Sequence, residues 1–278
     1  MREPERRRAV EAARAVGNGL GLRGDVAIVL HDSNKLSVRL LPGDVLARVA
    51  PAAHGVAGFE IALAQRLAEA GCPVARVAAP GVHARDGFDV TLWTFYETAS
   101  PEVPADAYAD ALARLHAGMR GVEAPAPHFT ERVGAALAIV ADRGTSPGLA
   151  EDDRELLVGV LRDLGASVAG RGTDQLLHGE PHQGNLLAAK EGPLFVDFET
   201  ACVGPVEFDL AHAPDEVADH YPAADPELVR DCRLLMLAMI VAWRWEPGDD
   251  LPDGERLSAE WLAALRAGAN GRQGGGTP

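Results

Sequence analysis

The chain has 278 residues, of which 47% are hydrophobic and 24% are charged, and its formal net charge is −15. This composition excludes a largely disordered chain and is typical of a globular protein with one large domain or two lobes. The acidic balance disfavours nucleic acid as a partner, because phosphate binding needs clustered Lys and Arg, and it would attract a cationic small molecule.

The cysteines and the ends of the chain bear on its compartment. Cys72, Cys202 and Cys232 are far apart and odd in number, which argues against a disulfide framework and against a zinc site. No apolar segment reaches the length that crosses a membrane, and the charged N-terminal residues do not form a signal peptide. We therefore expect a cytoplasmic protein with no membrane partner, and its oligomeric state stays open.

The first ninety-odd residues predict a small α+β lobe with an antiparallel sheet. A short helix over residues 4–16 is followed by a glycine-rich break. A second helix is predicted over residues 57–70, because Phe59, Leu63 and Leu67 share one helical face. The predicted strands of this lobe are residues 26–30, 36–41, 45–49, 74–79 and 90–96.

After Glu97 the apolar residues follow helical spacing, interrupted once by short strands. The glycine-rich end, residues 268–278, is predicted to be disordered. We therefore divide the chain into an N-terminal lobe, 1–97, a C-terminal lobe, 98–267, and this tail. The predicted helices of the second lobe are residues 105–119, 130–142, 151–168, 206–212, 226–245 and 258–267, and the predicted strands are 175–178, 185–188 and 193–197.

The pattern most informative about chemistry begins at His178. Glu180 stands two residues after His178, Asn185 stands seven residues after it, and Asp197 follows in a strand-like segment. Phosphoryl transfer from ATP needs a carboxylate that orients the attacking hydroxyl, together with an amide and a carboxylate that hold magnesium. The offsets match those of the catalytic loop and the magnesium-binding aspartate of protein kinases.

The string H-G-E-x-H-x-x-N from His178 to Asn185, followed by D-F at Asp197, resembles the signature of the aminoglycoside phosphotransferase family. That family includes choline kinase-like and macrolide kinase-like relatives. A later G-x-x-x-x-D-L-A string, in which Asp209 is the acid, matches as well. The resemblance implies a bilobal protein-kinase-like fold, ATP or GTP as the phosphate donor, and Mg²⁺.

The resemblance also implies a role for individual residues. Glu180 would orient the hydroxyl of the acceptor, and Asn185 and Asp197 would hold magnesium. In the small lobe, Arg48 would contact phosphate and Glu60 would pair with it. The other implied residues are Ser33 in a turn over the phosphates, Tyr96 and Glu97 in the hinge that contacts adenine, and His178, His182 and Asp209 in support of the catalytic loop.

Two positions depart from the family pattern. Glu180 stands where the family usually has Asp, and the extra methylene moves the carboxylate by about one bond length. Arg48 stands where the family has Lys, and a guanidinium is not interchangeable with an ammonium. A catalytically degenerate, nucleotide-binding pseudokinase therefore stays open beside an active small-molecule kinase.

A metal-dependent enzyme is a further alternative. His178, Glu180 and His182 alternate, so on a strand they would share one face and could bind a transition metal. The kinase interpretation also accounts for Asn185 and Asp197, and it is the one that we favour. Its acceptor would be an aminoglycoside-like molecule, a sugar or an amino alcohol, and antibiotic resistance is one role compatible with it.

Overall fold

The computed structural model contains two compact units. The first joins Met1–Ala124 to the distant segment Gln183–Thr200, and the second joins Pro125–His182 to the chain from Ala201 onward. The first unit therefore carries residues 183–200, which the sequence analysis grouped with the C-terminal lobe. The functional boundary at Glu97 stays a prediction. The structure describes residues 1–100, 102–249 and 251–274.

The order of elements follows the predicted α+β pattern. The strands in the described residues are β1 (Gly24–Asp32), β2 (Leu36–Pro42), β3 (Val45–Pro51), β4 (Val77–Arg85), β5 (Phe88–Thr94), β6 (Gln175–Leu177), β7 (Leu186–Ala189), β8 (Gly192–Phe195) and β9 (Cys202–Gly204). The helices are α1 (Glu3–Gly19), α2 (Ala57–Glu69), α3 (Ala105–Met119), α4 (Phe129–Ala141), α5 (Glu151–Ala169), α6 (Val206–Leu210), α7 (Asp215–His220), α8 (Pro226–Trp243) and α9 (Gly254–Gly274).

The first unit is built on a five-stranded antiparallel sheet with the order β1-β2-β3-β5-β4. Along β3, Val45, Ala47 and Val49 are buried in one core with small residues of α1, whereas Leu46 and Arg48 point to the opposite face. The alternation expected of a half-buried strand therefore places Arg48 on the face that α1 does not cover.

The second unit is mainly helical. Its core joins apolar residues of α4, α5, α8 and α9 with β6 and β9. Gly204 in β9 lies so close to α4 that a Cβ there would stand 2.8 Å from the Phe129 ring. No helix in the described parts of the chain is both long enough and apolar enough to span a bilayer.

Several predicted boundaries differ from the structure. Helix α1 continues past the predicted end at residue 16. Gly17 lies inside it and packs closely on β2, since a Cβ at this position would stand 2.7 Å from the Leu40 side chain. Strand β4 lies later than residues 74–79, since Asp86 and Gly87, both with positive φ, form its tight turn into β5. The predicted strand 90–96 is β5 and begins two residues earlier than expected.

The C-terminal prediction also needs correction. Helix α9 begins before residue 258 and continues through Gly268 to Gly274, so residues 268–274 are not the predicted disordered tail. A Cβ at Gly268 would lie 2.7 Å from the Leu234 side chain, so the glycine permits close packing on α8. The last predicted tail residues, 275–278, lie outside the described residues. Two short elements, β9 and α7, were not predicted.

Candidate active site

The hairpin of β7 and β8 brings Asn185 and Asp197 together. Leu186 pairs with Phe195, and one step further the Val196 N–H donates to the Asn185 carbonyl oxygen at 3.0 Å. Of the two predicted metal ligands, Asn185 thus directly precedes β7 and Asp197 follows β8, within one unit. Their proximity results from local hairpin register, which explains why the spacing in sequence was a useful signal.

Asp197 adopts an uncommon backbone conformation, with φ of 68°. A non-glycine residue in this left-handed region is unusual, although Asp tolerates it better than most residues. Such conformations persist where surrounding contacts hold them, and they concentrate at functional sites. Here the chain turns shortly after β8 and directs the Asp197 carboxylate toward Arg48 of β3 and Lys35 just before β2.

Arg48 links two carboxylates in the first unit. One guanidinium nitrogen contacts Glu60 of α2, and another contacts Asp197. Glu60 is only 2% exposed, so its carboxylate has little contact with water and needs a charged partner, which Arg48 supplies. The expected pairing of Arg48 with Glu60 is therefore present, while its contact with nucleotide stays a prediction.

Lys35 ends the predicted turn that begins at Ser33, but the sequence analysis gave its side chain no role in this site. Its ammonium group lies 3.1 Å from Glu60, 3.3 Å from Asp197 and 2.5 Å from Glu199, and the residue is 5% exposed. The Asn34 amide also donates to Glu199 at 3.3 Å. We call Lys35, Arg48, Glu60, Asp197 and Glu199 the carboxylate cluster. One signal was available, since Lys35 is one of only two lysines in the chain.

The charges of the carboxylate cluster stabilise one another. Burial alone would raise the pKa of Asp197, but the nearby Arg48 and Lys35 outweigh it and hold that pKa below its ordinary value. Burial and Arg48 would lower the pKa of Lys35, yet Glu60, Asp197 and Glu199 raise it above its usual range. Both groups are therefore charged at neutral pH.

The other predicted nucleotide contacts lie outside the carboxylate cluster. Ser33 is exposed, and its hydroxyl donates to Asn34 at 3.1 Å within the turn before β2. The Tyr96 hydroxyl accepts from the Arg76 N–H at 3.3 Å. Glu97 forms an exposed ion pair with Lys190 at 2.5 Å. These contacts are local to the first unit, and the roles of Ser33, Tyr96 and Glu97 at a nucleotide stay predictions.

The first unit offers oxygen ligands suited to magnesium. Asn185 supplies an amide oxygen and Asp197 a carboxylate, and Glu199 adds a second carboxylate two residues further on. A hard divalent cation accepts such a set together with water and phosphate oxygens. Among the described residues, no group of three His, Cys, Asp or Glu is arranged to hold a metal ion, and in the carboxylate cluster two cationic side chains lie between the acids.

In the second unit, Asp209 holds the loop that begins at His178. Its two carboxylate oxygens accept from the N–H groups of His178 and Gly179 at 2.9 and 2.8 Å, and the residue is fully buried. Gly179 has φ of 89°, which a residue with a Cβ rarely adopts. The loop therefore needs both its glycine and the buried acid of α6. His178 is itself buried, and its Nδ1 accepts from the Glu180 N–H at 3.4 Å.

Glu180 is held by a residue that sequence reasoning did not identify. Arg132 of α4 contacts the Glu180 carboxylate and donates to the Gly179 carbonyl oxygen at 3.1 Å. The Arg132 guanidinium also lies 5.2 Å from the centre of the Trp243 ring, close enough for a cation–π contact. No motif pointed to Arg132, because it lies 48 residues before Glu180 on an ordinary helix.

His182 and His212 of the second unit have different environments. His182 is exposed and its N–H donates to the Glu180 carbonyl oxygen at 2.8 Å. His212, just after α6, has an enclosed Nε2 atom, and burial lowers its pKa to about 3. The geometry therefore does not assemble His178, Glu180 and His182 as metal ligands, since the described residues contain no such group.

Three solved structures show the fold that this chain shares. An amicoumacin kinase in complex with AMP-PNP, Ca²⁺ and Ami is 13% identical, with a TM-score of 0.70 over 95% of this chain and 96% of that one. The GDP complex of wild-type aminoglycoside 2′-phosphotransferase-IIIa is 16% identical, with a TM-score of 0.67 over 87% and 92%. A choline/ethanolamine kinase family protein from Mesorhizobium loti is 19% identical, with a TM-score of 0.68 over 93% and 94%.

These likenesses confirm the predicted bilobal protein-kinase-like fold. A comparison with curated protein sequences gave no match. A model of the phosphotransferase enzyme family matches residues 30–269, which is most of the chain and includes the carboxylate cluster, the His178 loop and Asp209. The predicted resemblance is therefore confirmed, and the chain belongs to the phosphotransferase enzyme family.

Proposed function

We propose that this phosphotransferase moves the γ-phosphate of ATP or GTP to a hydroxyl group of a small molecule and requires Mg²⁺. The observation that carries the proposal is the contact of Asp197 with Arg48 and Lys35, beside a hairpin that places Asn185 next to it. Metal-binding oxygens and phosphate-binding cations side by side are what phosphoryl transfer requires of a protein.

The reaction asks little covalent chemistry of the protein. The acceptor oxygen forms a bond to the γ-phosphorus, the bond from that phosphorus to the bridging oxygen breaks, and the nucleoside diphosphate leaves. In our proposal the Glu180 carboxylate accepts a hydrogen bond from the acceptor hydroxyl and takes its proton. Asp209 keeps the loop in place through the His178 and Gly179 N–H groups.

Asn185, Asp197 and Glu199 are the residues that would hold magnesium. When bound, the ion neutralises negative charge on the phosphate oxygens. Arg48 would contribute fixed positive charge to the phosphates, and Glu60 would hold its guanidinium group in place through its buried carboxylate. The hinge at Tyr96 and Glu97, and the turn at Ser33, would contact the rest of the nucleotide.

The acceptor side has a neutral ion pair rather than a free acid. Arg132 balances the charge of Glu180, and Trp243 supplies an aromatic surface beside the guanidinium. This supports an acceptor with a polar hydroxyl and an apolar or sugar-like face, such as an aminoglycoside-like molecule, a sugar or an amino alcohol. The net charge of −15 supports a cationic acceptor through long-range attraction. Three free cysteines support a reducing, cytoplasmic location.

A pseudokinase is the second candidate. One observation favours it: the Arg132 guanidinium already binds the Glu180 carboxylate that a hydroxyl would need. In this case nucleotide binding by the carboxylate cluster would be retained, but no phosphate would reach an acceptor.

One experiment separates the two candidates. The melting temperature is measured with ATP and with GTP, each with and without Mg²⁺, because a ligand that binds only the native state stabilises it. Nucleotide hydrolysis and phosphate transfer are then assayed on a panel of aminoglycosides, sugars and amino alcohols. A Mg²⁺-dependent rise with transfer supports the kinase, and the same rise without transfer to any acceptor supports the pseudokinase. No rise at millimolar nucleotide contradicts both.

A further inference from the structure

Lys35 occupies a position that the proposed roles of the site only partly explain. It stands just before β2, and its ammonium group lies within 3.3 Å of Glu60, Asp197 and Glu199. Two of these three acids, Asp197 and Glu199, are proposed metal ligands. The Lys35 ammonium therefore occupies carboxylate oxygens that a divalent cation would bind.

The balance of charge in the carboxylate cluster determines how readily it binds a metal ion. Two positive groups, Lys35 and Arg48, face three negative groups, so the cluster carries one net negative charge. Bringing Mg²⁺ to the same acids while both side chains stay in place would put three cationic groups on them. Binding of a divalent ion is then opposed at short range, where charge repulsion is strong.

The two cations differ in their freedom to leave. The planar Arg48 guanidinium contacts two acids with separate nitrogens, which fixes its orientation. Lys35 carries a compact charge on a flexible four-carbon side chain, which can redirect its ammonium group without moving the backbone. Lys35 is one of two lysines among 26 basic residues, so an ammonium at this position stands out in a chain that otherwise uses arginine.

We propose that Lys35 is a second phosphate-binding cation, and that in the nucleotide-free protein its ammonium group takes the place of the metal on Asp197 and Glu199. The negative phosphates of an incoming nucleotide attract the ammonium group away from these acids. The freed oxygens then accept the divalent ion. Metal binding by this chain is thereby made conditional on nucleotide. This inference rests on the proposed nucleotide site.

A purely structural Lys35 would behave differently. If the lysine served only as a buried counter-ion, its loss would destabilise the fold because an uncompensated acid would remain. Loss of any counter-ion favours a metal on the acids it leaves, but a purely structural side chain would not contact phosphate. Contact with the terminal phosphate of the nucleotide is therefore the property that separates the two roles.

The first test measures Mn²⁺ binding in the absence of nucleotide. Electron paramagnetic resonance detects the bound ion in the wild-type, K35M and K190M proteins. We expect K35M to bind Mn²⁺ at least about tenfold more tightly than wild type, because the competing positive charge is gone. Lys190, the other lysine, binds a single exposed acid, so K190M is the matched control and should behave as wild type. Equal Mn²⁺ affinity in folded K35M and wild type overturns the proposal.

The second test uses wild-type protein, so it does not depend on the folding of a variant. An acyl-phosphate derivative of ATP carries a mixed anhydride at the terminal phosphate, and a nearby amine takes the acyl group, forming an amide and releasing ATP and a proton. We expect mass spectrometry to find the acyl group on Lys35, with Mg²⁺-ATP suppressing it. Labelling of Lys190 with none on Lys35 would contradict the phosphate contact.

The two tests keep this inference separate from the proposed function. If wild-type protein shows no thermal shift with ATP or GTP, the proposed function fails. The Mn²⁺ comparison of K35M with wild type still decides whether the ammonium group excludes a metal, because no nucleotide is present. If wild type binds nucleotide and neither Mn²⁺ affinity nor labelling involves Lys35, the proposed function survives and this inference is wrong.

Discussion

The carboxylate cluster and the His178 loop both pair acids with arginine, but the two regions differ in net charge. In the carboxylate cluster three acids share two cations, and one negative charge is left over. In the His178 loop the single acid Glu180 is matched by Arg132, and a buried aspartate fixes the backbone. The surplus charge suits a site for a metal cation, whereas the neutral pair suits the orientation of an uncharged hydroxyl.

The two regions also differ in how their parts are joined. The carboxylate cluster combines a turn, a strand, a helix and a hairpin that are distant in sequence. The loop takes its backbone support from Asp209, about thirty residues away, and its side-chain support from Arg132 on α4. Variants that remove one function and leave the other intact would show that the regions act separately.

The largest effect should come from Asp197. We expect D197N to lose Mg²⁺-dependent nucleotide binding and to lower turnover by at least about 10³-fold, because a proposed metal ligand and the partner of Arg48 are altered together. Nucleotide titration with and without Mg²⁺ measures the change. D110A, which removes an exposed acid of α3 paired with Arg114, is the control. Unchanged Mg²⁺ dependence in D197N would remove Asp197 from the site.

Glu180 should affect transfer and leave nucleotide binding alone. We expect E180Q to lower kcat by about 10²–10⁴-fold, the range for loss of a general base. The thermal shift with Mg²⁺ and nucleotide should match wild type. E180D introduces the family's usual residue, which keeps the charge but shortens the side chain. Its kcat should lie between those of E180Q and the wild-type protein. Wild-type kcat in E180Q would favour another base.

An exchange of arginine for lysine in each region provides a direct comparison. We expect R48K to change nucleotide affinity by about tenfold or less, since Lys35 also contacts both Glu60 and Asp197. R132K should lower kcat by more than this, because a lysine cannot reach Gly179 and Glu180 with one planar group and stack on Trp243. Nucleotide titration measures the affinity of R48K, and steady-state kinetics with saturating nucleotide measure the kcat of R132K. A smaller loss in R132K than in R48K would show that the loop needs only a charge.

The smallest effect concerns acid stability and His212. Its folded-state pKa of about 3 lies below the ordinary value, so the unfolded chain binds a proton first as the pH falls. Stability is therefore lost as the pH drops below the ordinary value toward about 3. We expect H212Q to reduce the loss of unfolding free energy between about pH 7 and about pH 5 by up to ~2 kcal/mol. Urea unfolding at both pH values measures this, and an identical loss in H212Q would contradict it.

Much of the molecule was predictable because local physics decides it. Apolar spacing located the long helices α3 and α5, and the turn residues 42–44 separated β2 from β3, whose buried faces are continuous. The errors lay where tertiary contacts overrule local signals. Gly17 and Gly268 were predicted to lie outside helices, but both lie inside them. Leu40 and Leu234 fill the space that a Cβ at these positions would occupy.

The site divides in the same way. The sequence by itself determined the residues of one short segment, His178 to Asp197, since hairpin register and loop offsets bring Asn185 beside Asp197. Only the tertiary structure decided which cations face these acids. Lys35 and Arg132 reach Asp197 and Glu180 across 162 and 48 residues of chain, and no local spacing encodes such contacts. Packing decides which cation faces each of these partly buried acids, because a charge that is partly removed from water needs a partner.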